Sequence, residues 1–379
     1  MTTFLHGVRV LDLSRVLAGP LATQILADMG AEVLKVEPPG GDETRSWGPP
    51  FKNGISAYFE SCNRNKHSLV LDLKKESERD TLMELVAAAD VWVDNYPDDV
   101  RQRLGLTTTK LSAINPNLVI VNLRSYPSDS PVASERGYDL ILQAETGYMS
   151  LIGPPEGPPY KVGHAVIDVL TGMMTANACL GALVQKFRSG KGSHLHVSLY
   201  QTALFGLVNI ASGVLQSGRP TQRYGNAHPN IVPYESFPTK NGPIVIGVGN
   251  DAQFKKLCEW LDLPDPYRRL SNSERVAVRE SLIAEIVKRT QSLDRVMLIQ
   301  ELKQLNIPAA AIQKPEEALA NCQSSVPSSL VAIQTPSGEL QRYVANPVVG
   351  SGMRQQHSSP PNLGMGGLEL ANKWRASHR

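Results

Sequence analysis

Apolar positions in the first half of the chain fall into short β-rich runs separated by stretches of helical period. Residues 8–13, Val-Arg-Val-Leu-Asp-Leu, predict the opening strand. The segment 21–29, entered through Gly19-Pro20, predicts the following helix, because proline is accommodated in a first helical turn. Gly30 ends it, and 32–37 predicts the second strand. Further strands are expected at 68–73, 91–94 and 118–123, with helices at 76–88 and 97–104. This alternation is that of βαβ units, so the expected fold class is α/β, with a mostly parallel sheet covered by helices.

A Gly/Pro-rich loop at 153–159 precedes a strand-like run, 161–169, that feeds a helix over 170–187. Residues 194–198 alternate as a strand. The uncharged stretch 197–215 carries Ser198, Gln201, Asn209 and Ser212, and predicts a helix buried inside protein rather than a membrane span. After Arg219 the pattern changes to a strand at 244–249 and helices at 252–260, 274–289 and 293–305, the last capped by Ser292. The expected division is therefore a large domain over 1–224, a smaller α+β domain over 225–325 and a C-terminal segment over 326–379.

With Lys plus Arg at 38 and Asp plus Glu at 36, the formal net charge of +2 provides no global field for nucleic acid or an anionic membrane. Any phosphate-bearing ligand must be held by local cations. Cys62, Cys179, Cys258 and Cys322 are scattered and form no CxxC pair, which argues against a disulfide framework or a structural zinc site. No signal peptide is visible before the first strand. The expectation is a soluble intracellular protein, cytoplasmic or of the mitochondrial matrix.

The first strand–loop–helix, Leu11-Asp12-Leu13-Ser14-Arg15-Val16-Leu17-Ala18-Gly19-Pro20, stands where a dinucleotide loop would but lacks G-x-G-x-x-G. Without those glycines, Glu37 is a weak candidate for a ribose-binding acid. His194 and His196 share one face of a strand, yet no third ligand at suitable spacing makes them a metal site. There is no G-x-S-x-G elbow and no P-loop. Asp168 interrupts the apolar run Ala165-Val166-Ile167-Asp168-Val169-Leu170 where it turns into a helix. That position suits an N-cap. It also suits a nucleophile kept ionised by the positive end of the helix dipole.

Several segments taken together resemble the class III CoA-transferases, the family of formyl-CoA transferase and carnitine CoA-transferase. They are Arg15-Val16-Leu17-Ala18-Gly19-Pro20, Gly30-Ala31-Glu32-Val33-Leu34-Lys35-Val36-Glu37, Gly41-Asp42-Glu43-Thr44-Arg45, Asn63-Arg64-Asn65-Lys66, Leu71-Asp72-Leu73-Lys74, Arg136-Gly137-Tyr138-Asp139 and the Asp168 segment. The resemblance implies a Rossmann-like large domain built by both chain ends, a small domain, and a homodimer of interlocked subunits. It implies acyl-CoA and small carboxylic acids as substrates, with no permanently bound cofactor. Asp168 would be the nucleophile, passing through an aspartyl anhydride and an aspartyl-CoA thioester. Leu17 and Ala18 would line the pantetheine arm. Leu71, Asp72, Leu73, Lys74, Asn95, Tyr96 and Pro97 would edge the nucleotide site, with Lys74 and Arg103 facing phosphates, and Arg136 and Tyr138 would lie near the thioester.

The segments 41–51, 228–234 and 250–254 look most like the succinate–hydroxymethylglutarate branch of that family. This implies succinyl-CoA as donor and a dicarboxylate such as glutarate, itaconate or hydroxymethylglutarate as acceptor. Arg45, Arg64 and His228 are the candidates for holding a second carboxylate. Two departures stand against formyl or oxalyl specificity. Leu17 occupies a glutamine position, and Gly225-Asn226-Ala227-His228-Pro229-Asn230-Ile231 lacks the family's glycine run. The tail Pro360-Pro361-Asn362-Leu363-Gly364-Met365 matches only in part. An α-methylacyl-CoA racemase would share the fold but needs a base on each face of the substrate carbon, and Tyr138 stands where such racemases place a histidine. A CoA-binding protein without catalysis is the other alternative.

Overall fold

The computed structural model describes residues 2–52, 54–335 and 338–377. The chain divides into two compact units, one of Met1–Met149, Lys161–Pro220 and Val326–Arg379, the other of Ser150–Tyr160 and Thr221–Ser325.

The larger unit is built on six parallel strands: β1 (Arg9–Asp12), β2 (Glu32–Glu37), β3 (Lys66–Val70), β4 (Val91–Asp94), β5 (Val119–Arg124) and β6 (Ser193–Ser198). Their order across the sheet is β3-β2-β1-β4-β5-β6. The chain thus works outward in both directions from the β1/β4 pair, which makes the carboxyl ends of those two strands a topological switch point. Alternate residues feed opposite faces, as a strand buried on both sides requires. Leu11, Leu34, Trp92 and Ile120 pack with helix α2 (Glu76–Ala88) and the C-terminal helix. Val10, Val33, Val91 and Val119 face Leu26, Cys179 and Leu183. On this second face lie α1 (Ala18–Asp28) and the long α5 (Val166–Ser189). Between them in sequence come α3 (Asp98–Leu104) and α4 (Asp139–Glu145).

After β6 the chain enters α6 (Leu199–Gly206) and α7 (Val208–Ser217). The apolar residues expected to be buried here are at the surface of the chain: Phe205 is 74% exposed, Val208 67% and Leu215 85%. The terminal helix α8 (Gly367–Ala376) buries Leu370, Ala371 and Trp374, and the Trp374 indole donates to Glu32 at 2.8 Å. Among the described residues α5 is the one helix long and apolar enough to cross a membrane. It buries Ile167, Thr171, Thr175, Ala176, Cys179 and Leu183 within this unit.

The smaller unit has an antiparallel sheet of β7 (Tyr234–Phe237), β8 (Ile244–Gly247) and β9 (Ala309–Ala311), in the order β9-β8-β7. Its core joins Phe237, Ile244 and Ile246 to Phe254, Leu257, Leu282, Ile286 and Leu298.

Several boundaries differ from expectation for local reasons. The strand placed at 68–73 runs over Lys66–Val70, and Leu71 and Leu73 leave the sheet to join the core beneath α2. The helix expected over 274–289 breaks at Val278 (φ −107°, ψ 23°) into Asn272–Ala277 and Arg279–Thr290, its first half opened by a Ser271/Glu274 capping box. Asp294, not Ser292, caps Arg295–Gln304, accepting from Val296 and Met297 N–H. The segment 161–169 forms no strand, because α5 already begins at Val166.

Candidate active site

The first turn of α5 lacks a cap of its own, since its N-cap residue is Ala165. A neighbouring helix supplies one. Asp139, at the start of α4, accepts with one carboxylate oxygen from Ile167 N–H at 2.7 Å and Asp168 N–H at 3.2 Å. Its other oxygen accepts from the Gln143 amide at 2.6 Å, while Gln143 accepts from Val162 N–H at 2.8 Å. Asp168 is therefore the third residue of the helix and does not cap it.

Capping by Asp139 brings two carboxylates together at one helix end. Asp168 is half-buried, and no described residue donates a hydrogen bond to its carboxylate. Burial first, and then the charge of Asp139, push its carboxyl from 3.8 to about 7. The expectation that the helix dipole keeps this group ionised is corrected accordingly: Asp139 already answers the positive end of the helix. Tyr58 lies within electrostatic reach of Asp168. Burial and next the Asp168 charge push its phenol up to about 12, so it stays a protonated donor. Trp47 packs edge-on against Tyr58 at 5.3 Å.

One turn beyond Asp168, α5 passes close to the start of α1. A Cβ on Gly172 would sit 2.8 Å from the Ala18 carbonyl oxygen, so only glycine admits this approach. Ala18 thus backs α5 one turn beyond Asp168. Leu17 is the N-cap residue of α1, and both follow the loop after β1 at the switch point. The loop after β4 holds Asn95, Tyr96 and Pro97 beside it. The Arg15 guanidinium lies over the Tyr96 ring at 5.8 Å, and its Nε is buried with no partner among the described residues. Lys74 and Arg103 are exposed, and no ion pair involves either among the described residues. Asp72 holds the turn before α2, its N–H donating to Glu78 at 2.5 Å. Arg136 is exposed, and Tyr138 is 68% exposed beside Asp139.

Other candidates are engaged elsewhere. Arg45 makes a two-point ion pair with Glu37 at 2.7 and 2.8 Å, donates to the Pro361 carbonyl and stacks over Phe59. The same pair, with Ser68 donating to Glu37 at 2.6 Å, takes Glu37 out of any ribose-binding role. Arg64 is buried against Asp28 at 2.6 and 3.0 Å and donates to the Val344 carbonyl. Both arginines thus tie distant parts of the chain together. His228 lies in the smaller unit, accepting from Asn230 N–H at 3.1 Å and packing edge-on against Tyr234. The rings of His194 and His196 touch at 4.3 Å, with Asn122 and Arg124 as their hydrogen-bond partners.

A profile of CoA-transferase family III matches residues 5–366. The chain belongs to that family. A succinate–glutarate CoA-transferase of Agrobacterium fabrum is 38% identical over 371 residues, 95% of this chain and 93% of its own. A succinyl-CoA:glutarate CoA-transferase of Mus musculus is 41% identical over 283 residues, covering 74% of this chain and 65% of the relative. In structure the chain is similar to a CaiB/BaiF family protein of Brucella suis, with a TM-score of 0.86 at 35% identity, covering 99% of this chain and all of the other. It is thus a class III CoA-transferase, and coenzyme A thioesters are its substrates. Sequence reasoning missed the roles of Asp139, Tyr58, Trp47 and Arg15. Asp139 stood inside a recognisable motif, whereas only the fold brings Tyr58 near Asp168 and Trp47 against Tyr58.

Proposed function

We propose that the chain moves CoA from succinyl-CoA to a dicarboxylic acid of the glutarate type through covalent intermediates on Asp168. The observation that carries this reading is the half-buried, unpartnered Asp168 carboxylate facing Asp139 at the head of α5. A carboxylate raised to about 7 is a stronger nucleophile than a free aspartate once deprotonated. Acylation removes its charge, so the repulsion from Asp139 and the cost of burial vanish in the covalent stages. The environment therefore favours leaving the ground state.

In the first step an Asp168 oxygen attacks the thioester carbonyl, the C–S bond breaks, and CoA leaves as thiolate from a mixed anhydride. The thiolate then attacks the carboxyl carbon of Asp168, releasing succinate and leaving an aspartyl-CoA thioester. The acceptor carboxylate attacks that carbon, expelling thiolate and forming a second anhydride. Attack of the thiolate on the acceptor carbonyl frees Asp168 and the new acyl-CoA. Protons are conserved throughout, each step exchanges one activated acyl group for another, and the overall thioester-for-thioester exchange is close to thermoneutral. Tyr58 supplies a protonated hydroxyl beside the reacting carboxyl. Tyr138, adjacent to Asp139 in the chain, and Arg136 would edge the same site.

In this reading Leu17 and Ala18 flank the pantetheine arm, Leu71–Lys74, Tyr96 and Pro97 border the nucleotide, and Lys74 and Arg103 meet its phosphates. The protein acts as an interlocked homodimer, which would cover the apolar surfaces of α6 and α7. The glutarate named for two relatives supports the acceptor class. The test is to incubate wild type and Asp168→Ala with succinyl-CoA and a panel of mono- and dicarboxylic acids, and to read acyl-CoA species by mass spectrometry. New acyl-CoA from dicarboxylates with wild type alone is the expected result. Silence across the panel would remove the succinyl–dicarboxylate assignment.

A further inference from the structure

Val16 has φ at +73°, a left-handed conformation that a β-branched residue avoids. Such a conformation persists only where surrounding groups over-determine it. Here side chains hold every backbone polar group from Ser14 to Val16. Ser14 N–H donates to Asp12 at 3.0 Å, and its carbonyl accepts from the fully buried Lys35 ammonium at 2.8 Å. Arg15 N–H donates to the Asn95 side-chain oxygen at 3.1 Å, and the Asn95 amide donates back to the Arg15 carbonyl at 2.9 Å. Val16 N–H reaches Asp42 at 3.5 Å, and its carbonyl lies 3.8 Å from the Cys62 thiol. Lys35 also pairs with Asp42 at 2.9 Å, so the acid that holds Val16 is itself fixed.

The two-way contact of Asn95 spans the switch point, joining the loop after β1 to the loop after β4. Immediately downstream are Leu17 and Ala18, and Ala18 backs Gly172 one turn from Asp168. We infer that Asn95 is a positioning residue for the transfer reaction: it holds Val16 in its strained conformation and thereby sets the start of α1 against α5 one turn beyond Asp168. This rests on the reading that Leu17 and Ala18 flank the pantetheine arm. It assigns Asn95 to the loop rather than to the nucleotide.

The test uses the full-length protein with succinyl-CoA and glutarate. Asn95→Ala removes both contacts, and the KM for succinyl-CoA rises about tenfold while the KM for glutarate stays within about twofold. Asn95→Asp keeps the acceptor for Arg15 N–H, loses the donor, and falls between. Val16→Gly introduced into Asn95→Ala removes the penalty against the left-handed conformation, so the remaining contacts suffice and the KM returns to within about threefold of wild type. A direct contact between Asn95 and the nucleotide would leave the double variant as weak as Asn95→Ala, and that result overturns the inference. So would a wild-type KM in Asn95→Ala. Affinity for free CoA, measured by calorimetry on the same variants, follows the same order. It reads the loop even if succinyl-CoA and glutarate prove to be the wrong pair.

Discussion

Replacing Asp168 with its uncharged isostere should make the protein more stable, by an amount that depends on pH. Asp168 ionises at about 7 in the folded chain against 3.8 as an ordinary aspartate. Because the folded-state value is raised, the unfolded chain holds the charged form more easily. The group therefore costs stability progressively as pH rises from about 4 to 7, and the cost is complete above that. At 1.36 kcal/mol per pH unit the rise corresponds to about 4 kcal/mol at pH 8. Solvent reaching the half-buried carboxyl reduces the expected gain of Asp168→Asn to about 2 kcal/mol. For a chain of this size that is about 2–3 °C in Tm. Calorimetry or urea denaturation at pH 8 and pH 5 would measure it, and at pH 5 the gain should fall to under half. A variant no more stable than wild type at pH 8, or a gain independent of pH, would refute the reasoning that burial and Asp139 strain this carboxylate.

Asp139→Asn keeps an acceptor for the two helix N–H groups but removes the like charge, so Asp168 should ionise lower. The acid limb of the pH profile of kcat/KM should move down by about half to one unit. Arg64→Ala leaves Asp28 buried without its cation and should cost about 3–5 kcal/mol, while folded protein keeps its acceptor KM within about twofold. Lys74→Ala and Arg103→Ala, both at exposed cations, should leave Tm unchanged and raise the KM for succinyl-CoA about five- to tenfold. The effect of each should shrink with a dephospho-CoA thioester wherever the lost cation meets the 3′-phosphate.

The sheet was legible in the sequence because strands buried on both faces must be short, apolar and punctuated by turn residues. Strands β2 and β4 were therefore placed residue for residue. Asp168 was visible for a related reason, as one acid in an apolar run. Its environment was not visible. The residue that caps its helix comes from α4, and a charge 29 positions away has no local signature. The partners of Arg45 and Arg64 were hidden on the same ground. A cation in a polar motif looks free until the fold brings Glu37 or Asp28 to it. The apolar faces of α6 and α7 carry the periodicity of a buried helix, and a single chain leaves them uncovered. Val16 offers nothing in its chemistry to mark a left-handed turn, since the strain is imposed by side chains from four other segments.

The most direct test of the central claim is peptide mapping by mass spectrometry after rapid acid quench of the enzyme with succinyl-CoA and no acceptor. The expected result is an adduct bearing CoA on the peptide containing Asp168, discharged by adding glutarate with formation of glutaryl-CoA and absent from Asp168→Ala. An unmodified Asp168 peptide during steady turnover, or an adduct on another residue, would contradict it.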